Sequence, residues 1–124
     1  MANKTTISAS LPERKTVRIT AVIKDETNTV IPSTSLNTLT LTLYNKTDLT
    51  ILNSRDGQDI LNTNGGTVDS SGNFVLTLTP ADMIVVHTVK TQETHIALIE
   101  WTYGSGKAGG YEIEFTVDNL SYVP

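Results

Sequence analysis

The chain has 124 residues (13.4 kDa), 38% of them hydrophobic, 18% charged and 6% aromatic, and 9 basic against 13 acidic residues leave a net charge of −4. That is the size of one domain with a modest core. The absence of cysteine excludes disulfides and thiolate zinc sites, the acidic balance argues against a non-specific nucleic-acid binder, and no apolar run is longer than Met83 to Val86, far too short to cross a bilayer.

Roughly one residue in six is Thr, an excess in the direction of β structure. Residues 1–13 carry little pattern and no apolar h-region of a secretory signal. They read as an N-terminal arm, either flexible or ordered on a partner. Val17, Ile19, Ala21 and Ile23 then alternate with Arg18, Thr20, Val22 and Lys24, the period of a half-buried strand. Asp25 to Asn28 is turn chemistry. Thr38 to Tyr44 is the clearest strand, with Leu39, Leu41 and Leu43 on one face and threonines on the other.

Asn45 to Asp48 turns the chain, Leu49 to Asn53 reads as a short strand, and Asp59 to Asn62 as an edge piece. Val68 to Phe74 forms a tight connection into a strand that places Phe74, Leu76 and Leu78 on one face, with Gly72 free to take positive φ. Thr79-Pro80-Ala81-Asp82-Met83 is the one helical start: Thr79 as N-cap, Pro80 at the first position, Asp82 at the positive end. The valines that follow limit it to a turn or two, and an irregular crossing leads to about Thr91. Thr94 to Tyr103 is apolar on both faces, as a central strand is. Gly104 to Gly110 reads as a flexible hairpin loop, and Tyr111 to Val117 as a strand with Glu112 and Glu114 on its wet face.

The expected architecture is all-β: a single antiparallel immunoglobulin-like β-sandwich of about seven strands, with one short helical turn near Pro80–Met83. The sandwich occupies residues 14–118, and 119–124 form a C-terminal tail. A barrel or jelly roll is the rival arrangement.

Little of the sequence points to chemistry. Gly104 to Gly109 matches G-x-G-x-x-G, but a strand follows it where dinucleotide binding requires a helix. His87 and His95 are the only histidines; Glu93 shares a strand face with His95, yet a catalytic zinc wants three protein ligands, and both histidines read as surface or loop residues. Asp56 with Asp59, and Glu112 with Glu114, are the paired carboxylates, but neither pair comes with a cleft. Trp101 reads as core. The sequons at Asn3, Asn45 and Asn119 read as a by-product of Asn and Thr abundance. No catalytic, cofactor-binding or metal residue is assigned, and no cofactor is expected.

The runs VRITAVIKDETN, LTLTLYN, GGTVDSSGNFVLTLTPADM and IALIEWTYGSGKAGGYEIEFTV together resemble small immunoglobulin-like β-sandwich structural proteins of tailed bacteriophages, in a layout similar to the N-terminal modules of baseplate upper proteins. The resemblance spans about residues 15 to 118. It implies a non-enzymatic virion protein, a capsid decoration or a neck or tail component. Such a protein is made in the host cytoplasm, joins other virion proteins and copies of itself, and has no nucleic-acid or membrane partner. One alternative is a module that binds host-surface glycan through Trp101, Tyr103, Tyr111 and Tyr122. Another is a small hydrolase built on His95 and Glu100.

Overall fold

Alternation of Leu with Thr along residues 36–45 makes the strand on which the larger sheet is built. In the computed structural model, which describes residues 2–7, 10–87 and 89–120 (backbone only for 2–5), Leu39, Leu41 and Leu43 are wholly buried. The strands are β1 (Ala2–Thr6), β2 (Leu11–Pro12), β3 (Val17–Val22), β4 (Leu36–Asn45), β5 (Gln58–Asp59), β6 (Gly66–Val68), β7 (Asn73–Leu78), β8 (Gln92–Tyr103) and β9 (Lys107–Asp118).

They form two sheets. The larger runs β1-β9-β8-β4-β5, with β2 further along the edge of β9, and the smaller runs β3-β7-β6. The inward residues of both sheets meet in one core, from Leu41, Ile99 and Phe115 on one side to Ile19, Phe74 and Leu76 on the other. Every pairing is antiparallel except those of β1 and β2 with β9. This is the two-sheet order of an immunoglobulin-like sandwich. The expected helical turn at Pro80–Met83 is a 3-10 turn, and a second 3-10 turn, at Ser33–Ser35, had not been expected.

The N-terminal segment lies on its own chain: Ala2 to Thr6 run parallel to Gly110 to Glu114, and Leu11-Pro12 pair with Val117-Asp118. Of the C-terminal tail, Asn119 and Leu120 are described, and the Asn119 side chain donates to the Lys90 carbonyl at 2.8 Å. Residues 121–124 lie outside the described residues, and Tyr122 with them.

Three local expectations are corrected. Leu49 to Asn53 forms no strand beyond one bridge between Ile51 and Tyr44, because Leu49 and Asn53 both have positive φ, 63° and 51°, which breaks the pleat. Gly104 to Gly110 is a loop only as far as Gly106, and β9 then continues through two more glycines. Strand β6, just before the hairpin into β7, had no signal of its own. Its Gly66 is required by contact with Ile60, whose Cβ would lie 2.9 Å from an added Cβ.

Candidate interaction site

Inward positions on β8 and β9 meet in cross-strand pairs, and the pair Trp101–Gly109 explains the glycine in mid-strand. The indole lies across Gly109: a Cβ there would stand 2.5 Å from Nε1, 2.7 Å from Cε2 and 2.9 Å from Cζ2. Trp101 is 5% exposed, and its buried Nε1–H has no acceptor. Buried donors are rarely left unpaired. Beside it, the Tyr103 hydroxyl donates to Glu26 Oε1 at 2.7 Å, and Lys107 Nζ reaches Glu26 Oε2 at 3.0 Å. The bond from Tyr103, then that from Lys107, hold the Glu26 carboxyl below the usual carboxylate range.

Trp101, Tyr103, Gly109 and Tyr111 line a cleft of about 540 Å³ together with β3 from Thr20 onward and the turn that follows it. The turn at the rim is fixed by Asp25, whose Oδ1 accepts from the backbone N–H groups of Thr27 and Thr29 at 2.8 and 3.0 Å.

The β3 wall presents backbone as well as side chains. Ile23 donates its N–H to Gly72 and accepts from Ile31, so the odd-numbered residues face β7. Arg18, Thr20, Val22 and Lys24 therefore turn N–H and C=O the other way. Among the described residues no strand pairs with that edge.

The polar residues singled out from the sequence lie elsewhere. His95 is a correction: it is fully buried, not a surface residue. Its Nε2 lies 3.0 Å from Glu93 Oε1, its Nδ1 has no partner, and its ring meets Phe115 edge-on. Burial lowers the pKa of His95 against the opposing pull of Glu93. Burial raises that of Glu93, but hydrogen bonds from His95 and from the Val86 and His87 N–H groups outweigh it and leave it low. The pair is thus a neutral imidazole donating from Nε2 to a carboxylate. Its second task is structural, since Glu93 ties the Val86–His87 backbone of the crossing to β8.

His87 is half-buried and meets Asp48 at 2.6 Å. Hydrogen bonds from Thr50, then the one from His87, bring Asp48 down to about 2. Glu100 is exposed on the face of β8 opposite His95, so the two cannot share a pocket. Glu112 and Glu114 are half-buried rather than open to solvent, and Glu114 is bonded to Lys46 at 2.7 Å. Asp56 and Asp59 are exposed. Among the described residues no three His, Asp or Glu side chains are grouped to hold a metal.

One cluster escaped sequence reasoning. Arg55, from the turn after β4, donates from Nε and Nη2 to Asp82 at 2.6 and 3.0 Å, with both side chains buried. Asp82 also accepts from Asn53 Nδ2 and from Thr79, while Arg55 Nη1 reaches Gln58 and the Asn64 carbonyl. Burial pushes the Asp82 pKa up, but these bonds hold it below the ordinary value. Its capping role was legible in the sequence; its distant arginine was not, because 27 residues separate them. The cluster ties loops together.

No family model, curated protein or solved structure matches the chain.

Proposed function

We propose that this chain is a non-enzymatic structural or accessory protein of a tailed-phage virion, a capsid decoration or a neck or tail component, acting through protein–protein contacts. One observation carries the reading. The runs that resemble phage baseplate modules fall on the sandwich strands themselves: β3, β4, the β6–β7 hairpin and the β8–β9 hairpin. The outward face of the larger sheet suits assembly. Thr38 and Thr102 bond across it at 2.7 Å, and Thr40, Thr42, Thr94 and Thr116 share that face with Glu100, Glu112 and Glu114, so hydroxyls, which cost less to desolvate than Lys or Glu, sit among carboxylates that can pair with a partner's cations. Mass spectrometry of purified virions tests the reading: this chain is expected at a fixed copy ratio to the major structural proteins, and its absence rejects the idea.

A glycan-binding module is the second reading, favoured by the convergence of Trp101, Tyr103 and Tyr111 on one cleft. Against it, the Trp101 ring is buried and so offers no open face for a sugar to stack on. Tyr122 lies outside the described residues. A glycan array separates the two, since saturable binding by the isolated chain belongs to the second reading alone.

A further inference from the structure

We propose that the unpaired edge of β3 and the cleft beside it bind an extended, acidic segment of a partner protein, which adds to the smaller sheet as a fourth strand. Three independent features converge on that occupant. Arg18, Thr20, Val22 and Lys24 offer backbone donors and acceptors at strand spacing, a pattern matched by another extended backbone. Inward side chains of an added strand would pass over Ala21 into the cleft of about 540 Å³. Trp101 is part of the cleft's lining, and its indole N–H lies over Gly109, buried without an acceptor, so it gains one only if a carbonyl or hydroxyl of the added strand reaches it.

Charge selects the partner. Arg18 on β3 and Lys24, two residues past its end and bridged to Val30, flank Thr20 and Val22, and neither forms an ion pair among the described residues. A second copy paired antiparallel through all four residues would set Arg18 against Lys24 of that copy, and like charges directly opposed are destabilising. Cations on a sheet edge discourage self-pairing in this way. A strand with carboxylates on its outward positions meets both cations favourably and fills the cleft with its alternate side chains.

The inference rests on the assembly reading only for there being a partner protein in the virion; the binding itself is tested without it. The probes are three blocked peptides of about nine residues, a typical strand length, alternating Val with Glu, Ser or Lys. Trp101 is the one tryptophan, so the labelled protein shows a single indole N–H resonance. The Glu peptide is expected to shift that resonance and the amides of residues 18–24, and to bind about tenfold or more tighter than the Lys peptide, a step of about 1.4 kcal/mol. Thr20→Pro removes an edge donor without touching the ladder to β7, so it should weaken binding about tenfold while preserving the urea midpoint. R18E/K24E should reverse the order of the Glu and Lys peptides.

No indole shift with any peptide at about 1 mM, a weak-binding ceiling, overturns the proposal. So does binding indifferent to both variants. A concentration-dependent dimer in sedimentation that Thr20→Pro abolishes would assign the edge to a second copy instead. Oligosaccharide displacing the Glu peptide from the cleft would assign it to glycan. If the chain is absent from virions but the titration behaves as stated, the virion reading alone fails.

Discussion

Replacing Asp82 by Ala removes the anion on which Arg55 depends. The carboxylate accepts two bonds from Arg55, one from Asn53 and two from Thr79, all within 3.1 Å. What remains for Arg55 is Gln58 Oε1 and the Asn64 carbonyl, both neutral. A buried cation stripped of its counter-ion costs about 3–5 kcal/mol, and the lost acceptor for the Thr79 N–H adds about 1 kcal/mol. At about 4 °C per kcal/mol for a domain of this size, the melting midpoint should fall by about 16–24 °C. Urea denaturation and calorimetry read the loss. Because the pair is buried, the deficit should persist in about 1 M salt, where exposed ion pairs are screened. Arg55→Met with Asp82→Leu should recover most of it, since a buried ion pair and an apolar pair of similar volume are often close in stability. A single-variant loss under about 1 kcal/mol, or losses that simply add in the double variant, would refute the account of Arg55 and Asp82 as one buried unit.

Three further expectations are open to direct measurement. Gly109→Ala drives a methyl into the Trp101 ring and should cost about 1–3 kcal/mol, while Trp101→Phe in the same chain should relieve much of it; additive losses in denaturant melts would contradict the packing described. Stability should fall with acid in two stages. His95 has its folded pKa below 6.5, so its contribution is complete above that pH and declines as pH falls; Glu93 and Asp82, held below 4.5 and 3.8, add their losses at lower pH. His95→Gln should flatten the first stage of a urea-midpoint profile, and a parent profile already flat from pH 7 to 5 would sink the assignment of a buried neutral imidazole. Deleting residues 2–6 uncovers the β9 edge from Gly110 to Glu114, and the shortened chain should self-associate by sedimentation velocity. An unaltered monomer would mean that edge needs no cover.

Alternation was the strongest signal in the chain, and it located β3, β4, β7 and β9, because a strand with one buried face writes its period of two directly into the residues, while β8 was read from residues apolar on both faces. The 3-10 turn at Pro80 was equally legible, since its cap and its proline lie within four residues. Leu49 to Asn53 misled, because its apolar residues suggest a strand while left-handed backbone at both ends denies the pleat. Gly109 and Gly110 misled in the other direction. Glycine usually marks a loop, but Gly109 is there to admit an indole from the neighbouring strand.

The amino-acid sequence determined by itself that the protein is all-β, which residues face inward on the long strands, and that no cysteine chemistry is available to it. The threonine excess followed the same rule, covering the faces opposite the leucines. Tertiary structure alone decided the rest: Arg55 beside Asp82, His95 buried against Glu93, the N-terminal segment along β9, and the cleft between β3 and the β8–β9 hairpin. Each is a meeting of residues far apart in the chain or a choice of which strand edge to cover. Local periodicity records only the face a side chain takes, and it carries no trace of the partner found across the fold.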